Sequence, residues 1–297
     1  MAGREGRRNM PLRRSTSFRT ISLLMLLPVG GLVIFFAVRF VRQQFANVKQ
    51  PAPRHVEEAS VVAPPRPAPK KNVIAKTHHG GAIVVILDDV GFDHQPLAGA
   101  MRIDPNVNFA VLPNGARSQE FARELNAKGF ELLCHLPMEP ENPRQSPGAN
   151  AVMTTMTDAQ IEATTRANVE AIPHARGVNN HMGSRATSDR RVMTSVLSAL
   201  PKGLYFIDSR TAGTSLAADV ARELNIRTAS RSVFLDDVQK EDAIRVQLAA
   251  LVSAAEAHGV AIGIGHMYPE TVRVLAAEAP ALRSRGFRFL RASEVVN

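Results

Sequence analysis

The chain of 297 residues contains no tryptophan, two tyrosines (Tyr205 and Tyr268) and one cysteine, Cys134. A single thiol excludes an intrachain disulfide, which leaves both the cytoplasm and an exported location without staples open. Few aromatic rings are available as flat stacking platforms. No G-x-G-x-x-G or Walker loop follows any apolar run, so nucleotide binding has no motif behind it. The formal net charge of +9 is unevenly placed. Residues 1–80 hold 14 Lys and Arg against three Asp and Glu, whereas residues 81–297 hold 22 against 24. The basicity belongs to the amino-terminal third, and a near-neutral globular part gives no footing for nucleic-acid binding.

Segment 1–19 carries six arginines and one glutamate, and 20–38 reads TISLLMLLPVGGLVIFFAV without a charge. Nineteen residues at about 1.5 Å each approach the hydrocarbon thickness of a bilayer. The basic flank predicts a cytoplasmic amino terminus, a single-pass anchor in the cytoplasmic (inner) membrane and an exported remainder on the periplasmic or extracytoplasmic side. A cleavable signal peptide competes with this reading. Against it, no small-x-small site follows the run, which is longer than a typical signal core. Residues 39–80, with PAPRHVEEASVVAPPRPAPKK, cannot bury a core and read as an extended, disordered tether.

From residue 81 the pattern becomes amphipathic helix, glycine, short apolar strand, polar residue. Strands are expected near 83–87, 107–112, 130–134, 177–180, 203–207, 232–235, 260–264 and 287–290. Helix caps are expected at Ser118, at the box Thr157–Gln160 and at Ser188, with Pro269 in a first turn. Glycines 129, 177, 203, 259 and 286 stand where helix-terminating residues would. This alternation predicts an α/β fold, a distorted parallel (β/α) barrel of about seven strands filling 81–297.

The run Ile83–Leu87 is apolar without alternation, as a strand buried on both faces should be, and ends on Asp88, Asp89 and, two residues on, Gly91. Two adjacent carboxylates at a strand end repel unless a cation or proton separates their roles, although an Asp-Asp turn capping a helix is the plainer explanation. Other expected strand ends carry His135, Asn179-Asn180-His181, Asp208, Asp236 and His266. Asp with two His is a ligand set for a divalent metal that keeps positions open for water.

VVILDDVG, GFELLCHLPMEP, GVNNHMGSRAT, LYFIDSRT and AIGIGHMYPET together resemble the five motifs of the divergent polysaccharide deacetylase family, a branch of the NodB-like deacetylases. The resemblance covers nearly all of 81–297. It implies Asp89, His135 and His181 as ligands of a divalent metal, zinc first, and Asp88 as catalytic base. His266 is then the general acid and Asp208 the residue that orients it or keeps it protonated. Two motifs depart from the family pattern. Glu139 stands where a second histidine is usual, and Asn179-Asn180-His181 replaces an arginine-bearing segment. Glu139, Asn179, Asn180 and Arg185 are therefore expected as metal or substrate neighbours, with the asparagines either contacting substrate or bracing the loop of His181. The resemblance implies hydrolysis of N- or O-acetyl groups on an envelope polysaccharide or peptidoglycan-type glycan, a short or unusual one given the scarce aromatics. Two other readings stay open: a barrel that binds glycan or a partner without turnover, and a metal-dependent hydrolase of another bond such as a phosphoester, for which Arg185 and Arg210 are the available cations.

Overall fold

The computed structural model describes residues 80–297; the anchor expected at 20–38 and the tether at 39–79 lie outside the described residues. Among the described residues, no helix is long and apolar enough to cross a membrane.

Among the described residues, nine strands form one sheet, every ladder of it parallel. They are β1 (Ala82–Val90), β2 (Asn108–Val111), β3 (Glu131–Met138), β4 (Gly177–Met182), β5 (Tyr205–Asp208), β6 (Thr228–Ser230), β7 (Val233–Phe234), β8 (Val260–His266) and β9 (Arg288–Phe289). Eight run in the order β6-β5-β4-β3-β2-β1-β8-β7, and β9 pairs with the start of β1. All eight expected strand positions carry strands; the one without an expectation is β6, three residues with no apolar run to announce it. The ring does not close by hydrogen bonds, since β6 and β7 are the two edges. They are joined by Arg231 and Ser232 alone, and three Cα steps span at most roughly 11 Å. The seam is therefore bridged covalently.

Successive residues of a strand face opposite sides, and here each side has its own core. Ile83, Val85 and Leu87 of β1 join the outer layer beneath the helices. Val84 and Ile86 point inward to Ala110, Leu133, Tyr205, Ile207, Ile262 and Ile264, with Ala292 and Val296 packed into the same inner cluster. Two covered faces explain why β1 lacks alternation.

The helices are α1 (Leu97–Ala100), α2 (Ser118–Ala127), α3 (Asp158–Glu170), α4 (Arg190–Ser198), α5 (Ala217–Glu223), α6 (Glu241–His258) and α7 (Pro269–Ser284). Thr157 and Gln160 form the expected capping box on α3, and Pro269 opens α7. Two expected caps are displaced. Ser118 lies inside α2 and gives its hydroxyl to the Leu112 carbonyl. Asp189, not Ser188, accepts the Val192 amide to cap α4. Gly177 ends no helix either: it lies in β4, where a Cβ would come within 2.3 Å of the Tyr205 ring. Glycine is there because the inner core fills that space with tyrosine.

Candidate active site

The inward register of the core continues upward into the rim. Asp88 follows Val84 and Ile86 on β1, and His135 follows Leu133 on β3. Asn179 and His181 follow Gly177 on β4, and His266 follows Ile262 and Ile264 on β8. Alternation alone would send Asp89 outward. The pairing of β1 with β2 slips between Leu87 and Val90, and Asp89 takes φ 59°, as at a bulge. Both carboxylates consequently meet one atom, His135 Nε2, with Asp88 Oδ2 at 3.6 Å and Asp89 Oδ1 at 3.2 Å. Gln95 holds the turn: its amide donates to the Asp89 carbonyl (2.6 Å), and its oxygen accepts from the Gly91 and Phe92 amides. Met182 and Arg210 also have positive φ and line the same cleft. Backbone strain of about 1–3 kcal/mol per such residue concentrates where side chains must be aimed.

His181 Nδ1 lies 2.9 Å from Asp89 Oδ1 and 3.1 Å from His135 Nε2. The three ligand atoms make a triangle with sides of 2.9, 3.1 and 3.2 Å. With metal–ligand bonds of about 2.0–2.2 Å, donors on one face of a four- to six-coordinate ion stand roughly 3.0–3.5 Å apart. Asp89 Oδ1 is buried and takes part in no hydrogen bond despite its two histidine neighbours. An orphaned, ionised oxygen beside two imidazole nitrogens is what a shared cation would relieve. Asp89, His135 and His181 thus fit a divalent metal.

Asn179 organises the group from below. Its amide nitrogen donates to Asp88 Oδ1 (2.9 Å) and Ser209 Oγ (3.2 Å), which leaves its oxygen to face His135 Nδ1 at 2.9 Å. That oxygen can only accept, so Nδ1 carries the proton and the Nε2 lone pair points at the ligand triangle. Asn179 and Asn180 are buried. Asn180 accepts from the Ser209 amide and donates to the Met182 carbonyl and Thr211. Both asparagines are braces.

The two carboxylates are driven apart. Burial raises the Asp88 carboxyl above its ordinary range, against the pull of His135 and His266 and with repulsion from Asp89. Burial acts on Asp89 in the same direction, but His135 and His181 outweigh it and hold that carboxyl far below the ordinary range. A poised proton acceptor thus stands beside a permanently ionised ligand.

His266 Nε2 is 3.8 Å from Asp89 Oδ2, and its Nδ1 is 2.9 Å from Asp236 Oδ1. The other oxygen of Asp236 accepts from the His266 amide and the Thr271 hydroxyl, both at 2.6 Å. Burial would lower the imidazole, but the Asp236 partnership pulls it up to about 9. The residue that orients His266 is therefore Asp236 and not Asp208. Asp236 follows β7, which adjoins β8; Asp208 ends β5, five places from β8 in the sheet. Asp208 instead accepts from the Arg210 amide (2.8 Å) and Ser215 (2.9 Å) and fixes a turn. Two expected neighbours also fall outside the ligand triangle. Glu139 accepts from the Thr154 amide (2.6 Å) and faces Arg185 at 3.7 Å. Its own carbonyl takes the Arg185 and Ala186 amides, so it ties two loops together. Neither Glu139 nor Arg185 lines the cleft.

The cleft holds 520 Å³ and is bordered by Asp88, Asp89, His135, His181, Arg231 and His266 among others. Arg231 is a functional candidate that sequence reasoning missed, because it lies on the two-residue link at the seam rather than at a recognisable strand end.

Comparison with known proteins agrees with this architecture. The family described as divergent polysaccharide deacetylase matches residues 85–296. The chain belongs to that family. An uncharacterized protein of Escherichia coli K12, YibQ, is 37% identical over 196 residues, 66% of this chain and 61% of its own length. The match therefore spans less than two thirds of that relative. An uncharacterized protein of Haemophilus influenzae is 33% identical, again over 66% of this chain and over 70% of its own length. Among solved structures, the uncharacterized protein ATU2773 of Agrobacterium tumefaciens C58 superposes with a TM-score of 0.68 at 21% identity, covering 73% of this chain and 90% of that one. That likeness bears on the fold alone.

Proposed function

We propose that this family member is a metal-dependent hydrolase that removes acetyl groups from an envelope glycan. In this reading the 20–38 run anchors it in the cytoplasmic membrane and the barrel works on the outer side. The observation that carries the reading is the Asp89–His135–His181 triangle with a raised carboxyl, Asp88, on one side and a protonated imidazole, His266, on the other. A divalent cation, zinc first, held by Asp89 Oδ1, His135 Nε2 and His181 Nδ1 would supply electrophilic activation of an acyl carbonyl and of water. Asp88, kept off the triangle by its bond from Asn179, takes the proton released as water adds to the carbonyl. His266, held by Asp236, gives a proton to the departing amine nitrogen or alkoxide oxygen as the acyl bond breaks. Acetate and the free amine or hydroxyl leave. Asp89 stays ionised throughout and keeps the imidazolium of His266 aimed across the cleft.

A second reading, glycan binding without turnover, draws on Glu139, which is engaged with Thr154 and contributes no fourth protein ligand. The full chain, purified and supplied with zinc, decides between the two by acetate release from acetylated aminosugar oligomers and by elemental analysis. Expected are stoichiometric metal, lost in His135→Ala and in His181→Ala, and turnover that falls about 10²–10⁴-fold in Asp88→Asn with metal retained. Bound metal without acetate release from any acetylated sugar would transfer the conclusion to the binding reading.

A further inference from the structure

Beside the ligand triangle, the seam side of the cleft carries two cations that the deacetylation chemistry leaves unused. Arg231 is half-buried, and its guanidinium is fixed on three sides. Nε donates to the Ser209 carbonyl (2.6 Å), one terminal nitrogen donates to the Arg210 carbonyl (2.8 Å), and the plane lies 5.0 Å from the centre of the Phe234 ring. Arg210, at φ 48°, lines the same cleft with Ser209 and Thr211. Among the described residues neither arginine forms an ion pair. The carboxylates that reach Arg231 through space are Asp208, Asp88 and Asp237, of which Asp208 is already engaged with the Arg210 amide and Ser215. Asp237 is exposed at the cleft edge. Burial and the neighbouring Arg210 both disfavour the charge on Arg231. The half-buried, pinned guanidinium of Arg231 is repelled by the neighbouring, exposed Arg210, and an anion between the two removes that cost. The arginine fork matches carboxylate and phosphate oxygens in two-pronged fashion, and a fork already pinned by backbone carbonyls loses little freedom on binding.

We propose that Arg210 and Arg231 form a seat for an oxyanion carried by the sugar, a carboxylate or a phosphate, so that the glycan this cleft accepts is an acidic one. The proposal rests on the reading of the cleft as the place where the glycan lies, but not on turnover there. Charge from the two arginines then acts beside the rings of Phe234 and Tyr268 that also line the cleft. Arg231 staples the seam as well, through the same two carbonyls, and the end of its fork, the free terminal nitrogen and the second N–H of the other, is left for a ligand.

The test is equilibrium binding by calorimetry to the full chain, in wild type, Arg210→Gln, Arg231→Gln and Arg231→Lys. The probes are N-acetylmuramic acid and N-acetylglucosamine 1-phosphate, each compared with neutral N-acetylglucosamine. The expected result is a preference of roughly tenfold or more for an acidic sugar over the neutral one. That preference should shrink in Arg210→Gln, since the Arg210 side chain makes no hydrogen bond or ion pair among the described residues. It should be lost in Arg231→Gln and only partly return in Arg231→Lys. It should also weaken as potassium chloride rises, while neutral-sugar binding holds. A preference for the muramic acid identifies the anion as a carboxylate, and one for the sugar phosphate identifies a phosphate. Equal affinity for acidic and neutral sugars, no measurable binding of either acid, or a preference that survives both glutamine variants overturns the proposal. Acetate release is scored separately, so a chain that binds acidic sugar without hydrolysis sinks the deacetylase reading and leaves the seat standing.

Discussion

Replacing Asn179 by alanine is the sharpest probe of how the metal group is built. The side chain is buried and makes three polar contacts, to His135 Nδ1 at 2.9 Å, Asp88 Oδ1 at 2.9 Å and Ser209 Oγ at 3.2 Å. Truncation leaves the imidazole N–H without its acceptor and the Asp88 carboxylate without a donor, both in a buried setting. Each such loss costs about 1–3 kcal/mol, the charged partner at the upper end. Relaxation and the shared setting make the terms less than additive, so roughly 2–4 kcal/mol is expected. For a unit of this size each kcal/mol lowers Tm by about 2–4 °C, and a melting point lower by roughly 5–15 °C follows. The more specific consequence concerns the ligand. Without an acceptor on Nδ1, His135 is no longer held in the tautomer that presents the Nε2 lone pair, and zinc affinity should fall about 10–100-fold. The assays are thermal unfolding of the metal-free full chain and competition for zinc against a calibrated chelator. If Asn179→Ala melts lower yet binds zinc within about threefold of wild type, the tautomer argument is wrong. Asn179→Asp separates the two effects. It can still accept from Nδ1 but presents a second anion to Asp88, so metal affinity should hold while the Asp88 carboxyl rises further.

Three other outcomes follow from the same geometry. In metal-free protein, the His266 ring should titrate near 9 by NMR, and in Asp236→Asn it should titrate clearly lower, because burial is then opposed only by the more distant Asp88 and Asp89. A folded-state value above the unfolded one means that the Asp236–His266 pair contributes fully below about 6.5 and is lost as pH rises through 9. Stability of wild type should accordingly decline across that window, by on the order of 3 kcal/mol, and that of Asp236→Asn by clearly less. Gly177→Ala should destabilise by about 1–3 kcal/mol, since its methyl would meet the Tyr205 ring at 2.3–2.6 Å; chemical denaturation checks this, and Gly177→Ala with Tyr205→Leu should recover part of the loss. Asp208→Asn should leave the pH dependence of His266 unchanged, because the Asp208 carboxylate bonds only the Arg210 amide and Ser215; a displaced His266 titration would contradict the assignment of Asp236.

Much of the barrel is legible in the chain because parallel strands covered on both faces must be apolar throughout, as Ile83–Leu87 is. The site residues are legible because the inward period of two carries past the core: the positions above Ile86, Leu133, Gly177 and Ile264 are Asp88, His135, Asn179 and His266. Asp89 breaks that period, and only the bulge between Leu87 and Val90 explains how it reaches the same atom as Asp88. An alternation pattern does not show a bulge set by a slip against β2 and held by Gln95, six residues on. The three residues of β6 are too few to show a period at all.

The partner of His266 was beyond sequence for a different reason, and it bears on how the whole cleft works. Around the ring the strands follow chain order, with the hydrogen bonding broken between β6 and β7; β7 adjoins β8, and β6 and β7 both stand between β5 and β8 across the seam. A reading that takes neighbouring motifs for neighbouring strands therefore selects Asp208, whereas the fold delivers Asp236. The seam falls in the same arc of the ring. Because β6 and β7 are consecutive in the chain yet lie at opposite edges of the sheet, the residues between them, Arg231 and Ser232, must span the gap that hydrogen bonds do not close. Arg231 meets that demand with its guanidinium on the Ser209 and Arg210 carbonyls and against Phe234. The topology that separates Asp208 from His266 thus also puts a fixed cation on the wall of the cleft. The acid–base pair and the cationic wall lie at the two ends of one short strand, β7, which Arg231 precedes and Asp236 follows, and substitutions at the two positions should be separable in effect. Asp236→Asn should act on the titration of His266, and Arg231→Gln on the choice between charged and neutral sugars, each leaving the other readout within about twofold.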